Sequence, residues 1–455
     1  MRKEKYILFL LLFTTALFSQ INFEKHIIAN APTGHFYSYY FIKDIDGDSL
    51  ADISAIYDST VVWYKNNGQG SFTLMQTIDE SNKVLTVCVS DVDNDNYNDL
   101  LVGLYDTTYF CWYKNNGLQQ FTTKNIITDT IEAYKILSED IDGDNYNDLL
   151  TISNYYDYYS PYLLLYKNID ANGAFTFMQD LEDYTYDCKF AYINSDNYID
   201  IVWSGGSASF LFWAENDGLG NFTPNYMFYY IDQVTDFDIK DMDNDGDNDI
   251  LFTTITKRTG ISYIENFDGE GDFDSINNRV SIDTTVFSGS ICAIDIDNDN
   301  DFDIICDSSF YHSSQLFYYL NDGQGGFSEK QVFDSNLISY SYRDLEAHDL
   351  NYDGRMDLVV REGNKLIWYE NKTGVNVKEI SQASFSIFPN PAKSTITIQS
   401  KFKVTKIELY NNLGQLVLTK KNTQNVDVSS LEKGVYTCKV FGNNGSLGTE
   451  KIVIE

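Results

Sequence analysis

The chain has 455 residues, 67 of them acidic and 32 basic, for a formal net charge of −35. A hydrophobic fraction of 43%, with 35 Tyr and 30 Phe, is ample for packed cores, so the acidity does not signal disorder. Such a charge repels phosphates and so argues against nucleic acid or an anionic membrane surface as a partner; a cation is the natural counterpart, and four His leave little for imidazole metal sites or His-based catalysis.

The first residues read MRKEKYILFLLLFTTALFSQ. Arg2, Lys3 and Lys5 precede an apolar run from Tyr6 to Phe18, with small Ser19 before a cut near Gln20. This is the layout of a secretory signal peptide over residues 1–19. An uncleaved anchor is the alternative, but roughly 20 apolar residues are needed to span a bilayer. No later stretch is long and apolar enough, so the mature chain is expected to be exported without a transmembrane helix. The six cysteines form no CxxC pattern, and most sit in apolar alternating runs, as Cys88 in LTVCVSD and Cys438 in GVYTCKV. They read as small buried hydrophobes. Cys292 and Cys306 each lie three residues outside a loop from Asp295 to Asp303. If that loop joins antiparallel strands the two are expected to face each other, as a disulfide or as paired free thiols.

From residue 20 to 374 one pattern recurs seven times. DIDGDSLAD begins at Asp44, DVDNDNYND at Asp91, DIDGDNYND at Asp140 and YINSDNYID at Tyr192. DMDNDGDND begins at Asp241, DIDNDNDFD at Asp295 and DLNYDGRMD at Asp349, with intervals between 47 and 54 residues. Each acidic loop is followed by an apolar run, then an aromatic run that ends in Asn and a glycine-bearing turn, as in WYKNNGQGSF at Trp63. Four short strands per repeat follow: one entering the loop, one leaving it, one carrying Trp or Tyr, and one starting at Phe. Seven such units predict an all-β chain with a seven-bladed β-propeller. A linear solenoid is the rival, and the chain ends discriminate. The last repeat stops after WYENKTG without its fourth strand, while NFEKHII from Asn22 resembles QFTTKNII from Gln120. The N-terminal strand is expected to complete the seventh blade.

Carboxylates occupy positions 1, 3, 5 and 9 of the loops. They are Asp44, Asp46, Asp48 and Asp52 in loop 1, Asp91, Asp93, Asp95 and Asp99 in loop 2, and Asp140, Asp142, Asp144 and Asp148 in loop 3. Loop 5 has Asp241, Asp243, Asp245 and Asp249, loop 6 has Asp295, Asp297, Asp299 and Asp303, and loop 7 has Asp349, Asn351, Asp353 and Asp357. Calcium takes six to eight oxygens from closely spaced carboxylates plus a backbone carbonyl, here that of position 7. Without metal, carboxylates ~4 Å apart repel by about 1 kcal/mol per pair in water. Position 6 is Gly, Asn or Ser, which suits a left-handed turn, and positions 2 and 10 are apolar anchors. The alternative is that Asp merely favours exposed turns. The loops lack the Glu at position 12 and the flanking helices of an EF-hand, and magnesium prefers octahedral sites with retained waters. About six calcium ions are expected, in loops 1, 2, 3, 5, 6 and 7. In loop 4, Tyr192 and Asn194 replace two aspartates, leaving Asp196 and Asp200, so weak or no metal binding is expected there.

These repeats resemble the FG-GAP/VCBS family, over residues 22 to about 374. The resemblance implies a seven-bladed calcium-loop propeller as in integrin α subunits; relatives include adhesion receptors, lectins and a few polysaccharide lyases. Residues 375–455 carry ten Lys and six acidic residues, against a net −41 on residues 20–374. Turn signals PNP, NNLG, EKG and NNG separate seven or so short strands, consistent with a small Ig-like β-sandwich. Phe388-Pro389-Asn390-Pro391-Ala392, Leu409-Tyr410 with Leu413-Gly414-Gln415, Leu431 with Gly434-Val435-Tyr436, and Lys451-Ile452-Val453-Ile454 resemble the C-terminal type A sorting domain of the type IX secretion system of Bacteroidetes. That resemblance implies the type IX secretion machinery as a partner, passage through the outer membrane, and cargo released or attached at the surface. An ordinary Ig-like adhesive module is the alternative.

For the propeller itself, a non-catalytic binding or adhesion module for glycan or protein is the leading reading. The tyrosine-dense segment NYYDYYSPY from Asn154 to Tyr162 offers Tyr155, Tyr156, Tyr158 and Tyr159 as ligand contacts, unless they pack between blades. A carbohydrate-active enzyme such as a polysaccharide lyase is the second reading, but no HExxH, GxSxG or phosphate loop is present, and His26, His35, His312 and His348 are isolated. A structural spacer in a surface assembly is the third. Trp63, Trp112, Trp213 and Trp368 stand at matching positions in four blades, Asn66 and its six counterparts through Asn371 recur once per blade, and both read as scaffold.

Overall fold

The computed structural model describes residues 21–31, 36–373 and 385–454, less short connecting segments within those spans. The signal-peptide residues, His35, His312, Tyr156, Tyr158, Tyr159 and the side chain of Tyr155 lie outside the described residues. The chain divides into two compact units at Gly374. All regular structure among the described residues is β-strand, and no helix there is long and apolar enough to cross a membrane.

In the first unit seven four-stranded antiparallel sheets follow one another. Blade 1 is built from Phe36–Lys43, Asp52–Tyr57, Thr60–Asn66 and Phe72–Asp79. Blades 2 to 6 span residues 84–128, 131–183, 185–226, 234–283 and 291–337. Within each blade the second strand is covered on both faces: all six residues of Asp99–Leu104 are buried, which is why it reads as an unbroken apolar run. The fourth strand forms the outer edge and is largely exposed, as in Phe121–Thr128, where only Phe121 is buried.

The seventh blade contains Leu345–His348, Asp357–Glu362 and Lys365–Asn371, and its fourth strand is the N-terminal Phe23–Asn30. Phe23 lies opposite Asn371, His26 opposite Trp368 and Asn30 opposite Lys365. The split repeat is therefore a clasp. A central cavity of ≈ 380 Å³ is lined by first-strand residues of all seven blades, among them Tyr40, Val87, Ile136, Phe190, Asp236 and Leu345, with Ile291 from blade 6. A linear stack of repeats has no such axis.

The cores lie between blades. Trp63 packs with Val84, Val102 and Phe121 of blade 2, Trp213 with Phe237 and Ile250 of blade 5, and Trp368 with Tyr40 and Ile53 of blade 1. A β-carbon on Gly70 would stand 2.1 Å from the Trp368 ring, and one on Gly271 2.3 Å from Trp213, so these turns need glycine for close approach as well as for their positive φ.

The loop from Asp295 to Asp303 does join antiparallel strands, Ile291–Ile294 and Asp303–Asp307. The expectation that Cys292 and Cys306 face each other fails by one residue. Cys292 pairs with Ile305 and Ile291 with Cys306, so the two thiols point to opposite faces of the sheet and into different cores. All six cysteines are buried, and none forms a disulfide.

The second unit has a three-stranded sheet, Phe385–Phe388, Thr395–Ser400 and Asn425–Asp427, and a four-stranded sheet ordered Leu416–Lys421, Lys406–Tyr410, Gly434–Gly442, Gly445–Ile454. Ile387, Ile398 and Val426 of the first share one core with Ile407, Val440 and Ile452 of the second, giving a β-sandwich.

Candidate metal centres

Each acidic loop is a nine-residue turn whose side chains satisfy its own backbone. In loop 1, Asp44 Oδ1 accepts the N–H groups of Gly47 (2.8 Å) and Asp48 (3.2 Å), and Oδ2 accepts that of Ser49 (2.7 Å). The position 1 carboxylates Asp91, Asp140, Asp241, Asp295 and Asp349 accept position 5 and 6 N–H groups in the same way. Position 6 takes positive φ in all seven loops, from 66° at Asn197 to 108° at Gly246. That is the left-handed turn its composition predicts.

Position 9 does a second job. Asp52 has no solvent exposure; its Oδ2 accepts the Ile45 N–H (3.1 Å) and its Oδ1 the Asn66 N–H (2.7 Å). Asp99, Asp148, Asp200, Asp249, Asp303 and Asp357 repeat both bonds. Burial pushes Asp52, Asp99, Asp148 and Asp249 up to about 7 and Asp303 to about 8, against the pull of those N–H bonds.

The asparagine after the third strand completes the frame. Asn66 Nδ2 donates to Ala51 O within its blade and to Leu350 O, position 2 of the loop in blade 7. Asn115, Asn168, Asn216, Asn266, Asn321 and Asn371 each donate to the position 2 carbonyl of the preceding blade's loop. Seven bonds of 2.8–3.2 Å thus run around the whole ring, which accounts for an Asn at every repeat.

Carboxylate oxygens converge inside the loops. Asp44, Asp46 and Asp48 offer one oxygen each within 4.8 Å of one another, as do Asp91, Asp93 and Asp99, Asp140, Asp142 and Asp148, and Asp241, Asp243 and Asp249. One oxygen in each set stands out: the Oδ1 atoms of Asp46, Asp93, Asp142 and Asp243, all at position 3, are buried and accept no hydrogen bond. A buried carboxylate oxygen without a donor is costly, and a hard cation is the partner its neighbours favour. The donor set is all oxygen and fits a calcium-type ion.

The sequence pattern did not reveal that cationic side chains reach some of these carboxylates. Lys65 contacts Asp46 and Asp48, Lys114 contacts Asp93 and Asp95, and Lys167 contacts Asp142 and Asp144. In loop 7 Arg355 pairs with Asp353, and Asn351 Nδ2 donates to Glu370 Oε1 (2.9 Å). The signal was present as a Lys before Asn in the first three repeats, but only side-chain reach shows where it points. In loop 4 Asn194 donates to Asp196 Oδ2 (3.1 Å), while Tyr192 is exposed and supplies no carboxylate. Of the histidines, His26 stacks on Trp368 with its Nε2 3.0 Å from Glu370 Oε2, and burial pushes His348 down.

The fold and its loops define an all-β propeller with metal-type acidic turns joined to a separate β-sandwich. Family models make the identification: FG-GAP-like repeats match residues 44–102 and 91–151, and the secretion system C-terminal sorting domain matches residues 386–455. The chain thus carries FG-GAP-like repeats within its propeller and a C-terminal type IX sorting domain, and the latter marks it for export to the surface or the medium. No curated protein matches it. Among solved structures it is similar to an Agrocybe aegerita lectin described as recognising non-reducing terminal N-acetylglucosamine, at 14% identity and a TM-score of 0.50, over 85% of this chain and 94% of that one. It is also similar to BBS1N in its complex with ARL6DN, at 10% identity and a TM-score of 0.49, over 77% of this chain and 98% of that one. The extracellular domain of the two-component system BT4673 from B. thetaiotaomicron aligns at 11% identity and a TM-score of 0.47, over 96% of this chain and 59% of that one. At these identities the likeness is one of fold.

Proposed function

We propose that the mature protein is a calcium-stabilised propeller that works outside the cell as a non-catalytic binding module for glycan or protein. The observation that carries the calcium part is the buried, unpartnered position 3 oxygen of Asp46, Asp93, Asp142 and Asp243. Positions 1, 3, 5 and 9 of loops 1, 2, 3, 5, 6 and 7 would hold the ions. Calcium would supply charge there, offsetting the repulsion among clustered carboxylates and bracing the turns that join the first two strands of each blade. The binding part is supported by export, by a propeller whose recurring Trp and Asn residues are all committed to scaffold, and by the kinship of fold with a lectin. Tyr155, Tyr156, Tyr158 and Tyr159 are the proposed contacts.

Two measurements test this. Chelation of the mature protein is expected to lower its melting temperature and its protease resistance, and added calcium to restore both; no shift in either makes the loops ordinary turns. A glycan array and a protein pull-down, with and without chelator, are expected to give saturable binding that weakens in a Tyr155→Ala/Tyr156→Ala/Tyr158→Ala/Tyr159→Ala variant. Turnover of a polysaccharide pool would replace this reading with an enzyme, and silence in both screens would leave a structural spacer.

A further inference from the structure

One position divides the seven repeats into classes. The residue before the ring-forming asparagine is Lys65, Lys114 and Lys167 in blades 1 to 3, but Glu215, Glu265, Leu320 and Glu370 in blades 4 to 7. In blades 1 to 3 the ammonium reaches the acidic loop of its own blade. Lys65 Nζ bonds to Asp46 and, at 2.7 Å, to Asp48 Oδ2. Lys114 does the same with Asp93 and, at 2.7 Å, Asp95, and Lys167 with Asp142 and, at 3.0 Å, Asp144. Each lysine therefore stands on the position 3 and 5 carboxylates, two of the four groups assigned to the ion. Loop 5 is the opposite case. Glu265 stands at the lysine's position in blade 5, whose own loop holds Asp241, Asp243, Asp245, Asp247 and Asp249. Among the described residues no lysine or arginine pairs with that loop.

We propose that Lys65, Lys114 and Lys167 are built-in counter-cations that compete with calcium, so that the ring carries two grades of site. Loops 1 to 3 are partly neutralised by the chain itself, hold their shape without metal and take calcium weakly. Loop 5 depends on calcium and takes it tightly. The inference rests on the calcium reading above. Its physical basis is that an ammonium and a calcium ion cannot both stand at bonding distance from the same oxygens without repelling each other, since calcium needs them at about 2.3–2.6 Å. The orphaned Oδ1 of Asp46, whose side chain has no exposure, shows that the lysine satisfies only half of the position 3 carboxylate. The site is occupied but not saturated.

The test is a calcium chloride titration of the full mature protein by calorimetry, with terbium luminescence as a second readout, on wild type, K65Q/K114Q/K167Q, E265K and K124Q. Lys124 lies over the Tyr113 ring on an outer strand, so K124Q controls for a change of net charge alone. Wild type is expected to show tight sites and a weaker set at least tenfold apart. The triple variant is expected to move the weaker set tenfold or more toward the tight one, E265K to lose one tight site, and K124Q to change neither. In chelator the triple variant is expected to melt below wild type, and calcium to close that gap. A triple variant with the wild-type affinities, or an E265K variant with every tight site intact, overturns the inference while leaving the calcium reading standing. No calcium binding in any of the four proteins overturns both. Where the triple variant fails to fold, E265K alone decides.

Discussion

The aspartate at position 9 has a structural duty beside the metal-binding one proposed for it. Its carboxylate is buried in every blade and takes two backbone N–H groups, one from the loop's second residue and one from the asparagine after the third strand. Loop 4 separates that duty from metal binding. It has lost the carboxylates of positions 1 and 3, yet Asp200 keeps both bonds, to Ile193 N (3.1 Å) and Asn216 N (2.9 Å). Asp200→Asn replaces one acceptor oxygen with a donor that faces an N–H, and a buried group left unpaired costs about 1–3 kcal/mol. Urea unfolding is expected to show that loss equally in calcium and in chelator. Asp249→Asn, in the loop richest in acid, is expected to lose more in calcium than in chelator. Equal losses for the two variants under both conditions would make position 9 purely structural everywhere.

The element that closes the ring is the N-terminal strand Phe23–Asn30, paired with Lys365–Asn371 from end to end apart from a register shift at Ile28. Deleting residues 21–30 leaves that partner as an open edge beside Trp368 and opens a ring otherwise tied by seven asparagine bonds. An exposed strand edge invites pairing between chains. The truncated protein is expected to melt without a single cooperative transition and to elute as oligomers, and a peptide of residues 21–31 added in trans to reverse both. A monomer with wild-type melting would show that closure is dispensable. This strand was legible in the sequence because the repeat is periodic and a truncated last unit points to its missing piece. The acidic loops, the four-strand pattern and the Trp and Asn rings were legible for the same reason. What periodicity does not carry is register and reach. Counting three residues outward from Asp295 and Asp303 treats the loop as symmetric, but Asp303 is already the first residue of its strand and pairs with Ile294, so Cys292 and Cys306 miss by one. The lysines that enter loops 1 to 3 were visible as letters, but their role depends on side-chain length and direction, which no spacing rule encodes.

For the molecule as a whole, the net −41 on residues 20–374 is expected to make stability depend on pH and metal together. The position 9 carboxylates stand at about 6 in Asp200 and Asp357, about 7 in four blades and about 8 in Asp303, all above the ordinary 3.8, because burial disfavours their charge. A group whose folded pKa is raised contributes its stability in full below the unfolded value and loses it as pH rises through the folded value. The metal-free propeller is therefore expected to weaken from pH 5.5 to about pH 8, with a slope that flattens as each group passes its folded value, and to level off by pH 8.5. In the channel, Asp236 is raised to about 7 mainly by burial and adds to the same slope, independently of metal. Asp238 adds nothing in that window: burial works against its charge, but Lys189, 3.1 Å away, holds it below the ordinary range and ionised throughout. Calcium is expected to reverse the dependence at the loops, because it binds carboxylates only after their protons leave. One ion present at a hundred times its dissociation constant stabilises by about 2.7 kcal/mol. Melting curves in calcium and in chelator are thus expected to lie close together at pH 5.5 and to separate as pH rises, with magnesium giving the smaller gain because it sheds water reluctantly. A gap that stays constant with pH, or a chelated protein that grows more stable toward pH 8.5, would mean that the buried loop aspartates are not the groups through which the propeller senses the ion.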